Sequence, residues 1–596
     1  MGRKITAAVW QGSISAIVLW LVFYLATPST VWPLFGVPGV FIFICWIIAA
    51  VIDAFIEDDY DTHITKAAIF PIGAAVLYIG SFILGSGLFR ADEYQHMIGS
   101  LETRVWTQDV QPKDPKHMRM STRENAIYLA KKALGEAGAI GSQFVISEDH
   151  MTLQMINGEL WYVAPLDFSG FSVWLNTKAT PGYIMVHGED PHRQPILKIL
   201  LSDQQFRYMP EACFGNNLER HLRNNGYLGK GLAEYQFEID DNQRPWWVVS
   251  TFEPTIMWSG KKVTGVAIVD PVSGDINFKR MGEIPDWIDR AIPSNYVKNY
   301  LDWWGEYTHG WLNSWWGTKD LTKPEDPNLI YASDQQPDWV TGLTSRNDKD
   351  DSLVSLVYTN SRTGKTVLYK TKGGGTDQAV LDAISKNQDV QYKKLHGVDP
   401  QLYNVYGIMS SVVPLLSENH AYQGVAIVDI TNIQTVATGR NQFEALRAYQ
   451  KLLSQFGQQV ALDKTRDLQT IEGTVDRVKP DLLTTGAVYY VHLKGVPHLF
   501  TGGSADFHKL PVTEPGDKVK IEYFASGEDI VPMHNFDNLS LPLEVTKAQT
   551  EVTERSTQRR DKEEAQNEAR TVTEEIKQMS PEQLRELGKK IRQPKK

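Results

Sequence analysis

The first ninety residues constrain this chain most, because three apolar runs follow one another there, at about 9–26, 32–55 and 67–88. Each supplies close to the ~20 residues needed to cross ~30 Å of hydrocarbon. Trp10, Trp20, Trp32 and Tyr78 are amphipathic aromatics of the kind that gather near headgroups. A cleaved signal peptide is the competing reading of the first run. No small-x-small cleavage site follows it, however, and two more runs come directly after. The pattern predicts three transmembrane helices in residues 1–92, serving as an anchor because no ionisable group sits mid-span. Arg3, Lys4 and Lys66 on one side, against Arg90 and Arg104 on the other, place the rest outside the cytoplasm by a narrow margin. The expected localisation is therefore a cell membrane, crossed several times.

The remaining five hundred or so residues are enough for several domains, at ~100–200 residues each. A net charge of −11 argues against a protein built to grip phosphate backbones. The only cysteines, Cys45 and Cys213, stand in an apolar run and in the polar region, so they provide neither a disulfide framework nor a thiolate metal site. Ser121 and Glu124 form a capping-box pattern ahead of Ile127, Ala130, Ala133 and Leu134, which recur at helical spacing. Strand-like segments follow at 143–147, 152–156 and 159–165, with Asn157-Gly158 as a tight hairpin turn, and then at 182–187. The order recurs as a helix at 217–224, strands at 233–239, 246–252 and 262–270, and a turn at Pro271-Val272-Ser273-Gly274. One order met twice suggests duplication, with a looser third echo over 357–456.

The segments NGELWYVAPL and PGYIMVHGEDP, and later QRPWWVVSTF and VTGVAIVDPVSGDINF, resemble PepSY domains. The resemblance covers 121–277 best and 340–456 loosely, and His187-Gly-Glu-Asp departs from the V-D-x-x-[ST]-G turn of that pattern. It implies small α+β modules found mostly outside the cytoplasmic membrane in bacteria, as protease propeptides or membrane-anchored accessory modules. Such modules carry no catalytic residues of their own.

The expected organisation is thus a membrane-anchored α+β protein. It has an anchor at 1–92, PepSY-like units at 93–200 and 201–292, an aromatic helix and linker at 293–337, and a divergent third unit at 338–460. A small all-β domain, OB-like among the options, is expected at 461–545, and a charged helical or disordered tail at 546–596. In the tail, Ala565, Ala569, Val572, Ile576 and Met579 keep a heptad spacing that could pair two copies of the chain.

Little in the sequence carries catalytic chemistry. Arg362-Thr-Gly-Lys-Thr366 lacks the first glycine of a phosphate loop and reads as a hairpin turn. His187, Glu189, Asp190 and His192 match no standard metal-ligand spacing, and Cys213 with His221 is a thiol–base pair by proximity alone. Tyr489, Tyr490 and His492 could offer bases a stacking face, although alternate residues of a strand face opposite ways. The candidate binding face is an aromatic stripe, Tyr296, Tyr300, Trp304, Tyr307, Trp311 and Trp315, spaced for one side of a continuous helix and expected to be mostly buried. The preferred reading is a non-enzymatic, membrane-anchored envelope protein that binds or organises other proteins through its PepSY-like units. The alternatives are a membrane-bound hydrolase or peptidase with a regulatory PepSY-like part, and a nucleic-acid-binding membrane protein using the OB-like domain. Expected partners are membrane lipid, other proteins and a second copy through the C-terminal helix. No cofactor or metal is expected.

Overall fold

The computed structural model describes residues 79–331, 336–347, 352–371, 373–455, 468–483, 486–503, 507–524 and 530–541, with Ile17, Leu21 and Val76 as isolated positions. The expectation of three membrane helices and a multi-pass membrane localisation is corrected here. Among the described residues no helix is long and apolar enough to cross a membrane. The runs at 9–26 and 32–55 lie outside the described residues apart from Ile17 and Leu21, as does the run at 67–88 up to residue 78, Val76 excepted. In the described part of the third run, a turn at Gly85 and Ser86 closes the helix. The helix that follows, α1 (Gly87–Gln95), has 9 residues, carries Arg90, Asp92 and Glu93, and departs from helical geometry at Arg90 (φ −128°). Nine residues rise ~14 Å, about half a bilayer core. The heptad stripe of the tail also lies outside the described residues.

The chain divides into two compact units, Met1–Leu462 and Asp463–Lys596. The first is built from four small sheets, each preceded by a helix. After β1 (Leu101–Arg104), helix α2 (Arg123–Glu136) leads to β2 (Phe144–Ile146), β3 (Thr152–Ile156), β4 (Glu159–Phe168), β5 (Gly182–His187) and β6 (Ile196–Ile199). Helix α3 (Leu218–Leu222) precedes β7 (Gly231–Ile239), β8 (Pro245–Ile256), β9 (Ser259–Val269) and β10 (Ile276–Arg280). Helix α4 (Ser294–Glu306) precedes β11 (Thr322–Pro324), β12 (Asn328–Tyr331), β13 (Pro337–Ser345), β14 (Leu353–Asn360) and β15 (Thr366–Lys370). Helices α5 (Asp377–Ser385) and α6 (Gln388–Tyr392) precede β16 (His396–Gly397), β17 (Gln401–Val405), β18 (Ile408–Leu416), β19 (Tyr422–Asp429) and β20 (Val436–Gly439), and α7 (Gln442–Gln455) follows.

Leaving aside β1 at the edge of the third, all four sheets are antiparallel meanders with one strand order, once β2 and β3, β11 and β12, and β16 and β17 are seen as interrupted first strands. Both pieces of each pair lie on the same neighbour: β4, β13 and β18 respectively. In the second sheet the first strand is continuous but bulges between Ala233 and Tyr235. The turn between third and fourth strands also repeats atom by atom. One of its carbonyls, from Gly188, Pro271, Ser361 or Ile430, accepts backbone N–H groups from the segment leading into the helix. One side chain caps each turn: Asp270, Asn360 and Asp429 accept amides two or three residues on. In the first sheet His187 does this through Nδ1, which accepts from the Asp190 amide at 2.9 Å. An imidazole nitrogen thus does in the first turn what a carboxylate does at Asp270 and Asp429 and an amide oxygen does at Asn360.

The sheets interlock. Strand β1, which lies ahead of the first helix, pairs in parallel with β15 of the third sheet. One continuous core joins Val163 and Ile184 of the first sheet, Phe237 and Trp247 of the second, and Trp339 and Val357 of the third. The fourth sheet packs on α7 through Tyr449 and Leu453.

The second unit is a closed five-stranded barrel of β21 (Leu468–Leu483), β22 (Gly486–Leu493), β23 (Leu499–Gly503), β24 (Lys518–Phe524) and β25 (Ile530–Asn538), in the order β21-β22-β23-β25-β24. β21 pairs with β24 along its first half and with β22 along its second, and β23 runs parallel to β25. Val475, Val491, Leu493, Phe500 and Ile521 fill the interior. Tyr489 packs on that core, while His492 faces away and pairs with Asp476 at 3.1 Å.

Candidate functional site

The aromatic stripe does not lie along one helix. Helix α4 ends at Glu306, the chain turns through His309 (φ 65°) and Gly310 (φ 84°), and a separate helical turn follows at Asn313–Gly317. Glycine at 310 takes the positive φ without steric cost, whereas His309 takes it against its Cβ. The break divides the stripe. Tyr296 and Tyr300 are buried, and the Tyr300 hydroxyl donates to the Lys261 carbonyl. Trp304 packs half-buried at the core's edge. Tyr307 is half-buried and meets Tyr94 of α1 at 5.9 Å between ring centroids. Past the break, Leu312, Trp315 and Trp316 are 66%, 69% and 80% exposed. Trp315 stacks on Trp311 at 5.8 Å, so the exposed rings form an ordered ledge. Phe82, Phe89 and Trp258 add further exposed apolar surface near α1.

A second feature was not found in the sequence. The four first-strand irregularities line one cavity of about 500 Å³. Asp149, His150 and Met151 come from the gap between β2 and β3, Glu234 (φ 44°) from the bulge of β7, Pro327 from the gap before β12, and Asp399 (φ 57°) from the gap before β17. These first strands are sheet edges, and edges carry unpaired backbone groups that must be met. Gln154 meets part of this need: its side chain bonds the Ile239 amide and carbonyl of β7 at 2.9 and 2.7 Å. Asn328 similarly donates to the Pro400 carbonyl at 3.1 Å.

Arginines at two equivalent positions also reach the cavity. Arg119 and Arg290 each stand three residues before a helix N-cap, Thr122 and Pro293, and just ahead of the amides that bond the turn carbonyl. Arg119 is buried and donates from Nη2 to Asp399 at 2.7 Å. Arg123, at the start of α2, donates to the Glu148 carbonyl. Glu234 accepts from the Gln236 side chain at 2.9 Å.

His150 Nδ1 lies 2.8 Å from the Tyr235 carbonyl and Nε2 lies 2.9 Å from the Glu211 carboxylate. Two acceptors favour an imidazolium, which donates to both. Burial opposes that charge most strongly, but the bond to Glu211, its negative charge and the bond to the Tyr235 carbonyl together outweigh it, so the His150 pKa is raised. Behind His150, burial and then Glu211 push Asp167 up to about 7. Between the second and third sheets, burial and then the charge of Asp289 push Glu238 up to about 8, while burial, opposed by the bonds from Met155 and Tyr331, pushes Asp289 up to about 6. Asp289 accepts from the Tyr331 hydroxyl and the Met155 amide, both at 2.7 Å.

The other sequence motifs have structural roles. Arg362 to Thr366 make the β14–β15 hairpin, and buried Arg362 donates to the Ile288 and Asp286 carbonyls and to the Asp286 carboxylate. Glu189 lies 3.1 Å from His117. His221 is bound to the Gly274 carbonyl at 2.7 Å and lies against Tyr208, with no hydrogen bond to Cys213. Among the described residues no group of three or more His, Cys, Asp or Glu is arranged to hold a metal ion. No protein-family model matches the chain, and no curated protein matches it.

Proposed function

We propose that this chain is a binding protein that docks other polypeptides, with its α+β units as the rigid support. The ledge of Leu312, Trp315 and Trp316 carries this reading. Tryptophans left mostly in water are costly, and Trp is enriched where protein surfaces meet. The Asn313 side chain, donating to the Thr308 and Lys319 carbonyls at 2.7 and 2.8 Å, holds the turn that carries the ledge.

An enzymatic reading draws on the polar cavity with His150 and the raised Asp167 behind it. It is the weaker reading. Both ring nitrogens of His150 are already engaged, and Glu238 and Asp289 are buried.

The test is Trp315→Ser combined with Trp316→Ser in the full chain, crosslinked in its own cell. Because both side chains are exposed, stability should shift by no more than ~1 kcal/mol. The set of crosslinked polypeptides should be lost. An unchanged set would reject the ledge as the docking face.

A further inference from the structure

We infer that the cavity at the meeting of the four first strands binds a small zwitterion, an amino acid or short peptide that brings both a carboxylate and an ammonium. The unspent donors on its wall come first. Arg119 is 5% exposed, and its guanidinium makes one hydrogen bond, to Asp399, with Nε left unpartnered. A guanidinium has five N–H donors, and leaving them unmet in a buried place is costly. Arg290 lines the same cavity; its charge acts on buried Glu238 and Asp289, but its guanidinium makes no hydrogen bond or close ion pair among the described residues, and its Nε is again buried and unpartnered. Arg123 adds a third guanidinium whose one bond goes to a backbone carbonyl.

The same wall also holds acceptors. Gln236 is 2% exposed; its amide nitrogen is committed to Glu234, which leaves its buried Oε1 without a donor. Asp149 and Glu234 add carboxylates that no cation pairs with among the described residues, whereas Asp399 is neutralised by Arg119. A phosphate or nucleotide would bring several negative charges against Asp149 and Glu234. A plain amine would leave Arg119 and Arg290 unmet. A carboxylate with an amino group nearby answers both sets, since guanidinium groups match a carboxylate in a fork geometry. A volume of about 500 Å³ lies within the ~300–1,000 Å³ typical of small-ligand sites. The inference is independent of the ledge, because none of its residues belong to that face.

Titration calorimetry and melting of the full chain would use free amino acids, dialanine and trialanine as probes. Acetate, inorganic phosphate and butylamine at matched ionic strength are the comparisons. At least one zwitterionic probe should bind saturably, one per chain, and raise the melting temperature. Arg290→Gln should weaken that binding about tenfold or more. Some fall in its apo melting is expected, because the guanidinium charge also acts on buried Glu238 and Asp289, so binding is compared at a temperature where both proteins are folded. Asp149→Asn, at an exposed position, should weaken the zwitterion and leave acetate unaffected. Binding of phosphate or acetate alone, equal binding by the Arg290→Gln variant, or no binding by any zwitterionic probe would overturn the inference.

Discussion

Replacing Trp247 with alanine is expected to cost about 3–5 kcal/mol, as truncation of a large core side chain does. Trp247 is the largest fully buried side chain among the described residues. It meets Phe237 edge-on at 5.4 Å and His150 at 5.2 Å, and its Nε1 donates to the Tyr208 carbonyl at 2.9 Å. Alanine would open a cavity, leave that carbonyl unpaired and remove the wall against which His150 is held. The main calorimetric transition should fall by on the order of 10 °C. Trp316→Ala is the control: its side chain is 80% exposed, and it should change stability by less than ~0.5 kcal/mol. Equal effects of the two would contradict the division of the aromatic residues into core and ledge.

The protein should also be markedly more stable in mild acid than at pH 8. Asp167, Glu238, Asp289 and Asp377 have pKa values raised to about 7, 8, 6 and 7, in each case first by burial, and for all but Asp289 then by a neighbouring carboxylate. Unfolded, such groups titrate near ~4. A raised folded pKa means that the folded state holds the proton over this interval and the unfolded state does not. Stability therefore falls as pH rises from ~4 towards the folded value. Each such group costs about 1.4 kcal/mol per pH unit, so one of them titrating across pH 5 to 7 costs about 3 kcal/mol. His150, raised above the usual histidine value, acts in the same direction: its contribution is present below ~6.5 and lost as pH rises through its folded pKa. His187, lowered by burial and then by Arg193, acts oppositely. Melting temperature should drop by several degrees between pH 5.5 and 8, and Asp377→Asn should flatten part of the slope. A flat or rising profile would show that these carboxyls are ionised in the fold.

Local signals in the sequence served well where the structure answers to local chemistry. Asn157-Gly158 makes the β3–β4 hairpin with φ of 53° and 83°. The capping pattern at Ser121 located α2 to within one residue. The cap is Thr122, whose Oγ1 accepts from the Asn125 amide, while Ser121 donates instead to the His187 carbonyl. The stripe spacing identified a helical face but not its end, because 4-4-3-4-4 persists through the break at His309 and Gly310, which alters no residue count. The cavity was beyond such reading. Its walls come from irregularities of one to a few residues in edge strands, brought together from Arg119 to Asp399 by sheet packing. One trace was available: Arg119 and Arg290 share a position relative to the following helix, which four-fold alignment of the units would have exposed.

The most direct test of docking at the ledge is a photo-reactive phenylalanine analogue placed at 316, with a second placed at 392. Tyr392 is 89% exposed on another element and provides an aromatic control of equal access. Illuminated in the cell that makes the protein, the chain labelled at 316 should form discrete adducts with another polypeptide, and the chain labelled at 392 should not. Matching adduct patterns at the two positions, or adducts at 316 with lipid alone, would contradict a polypeptide-docking ledge.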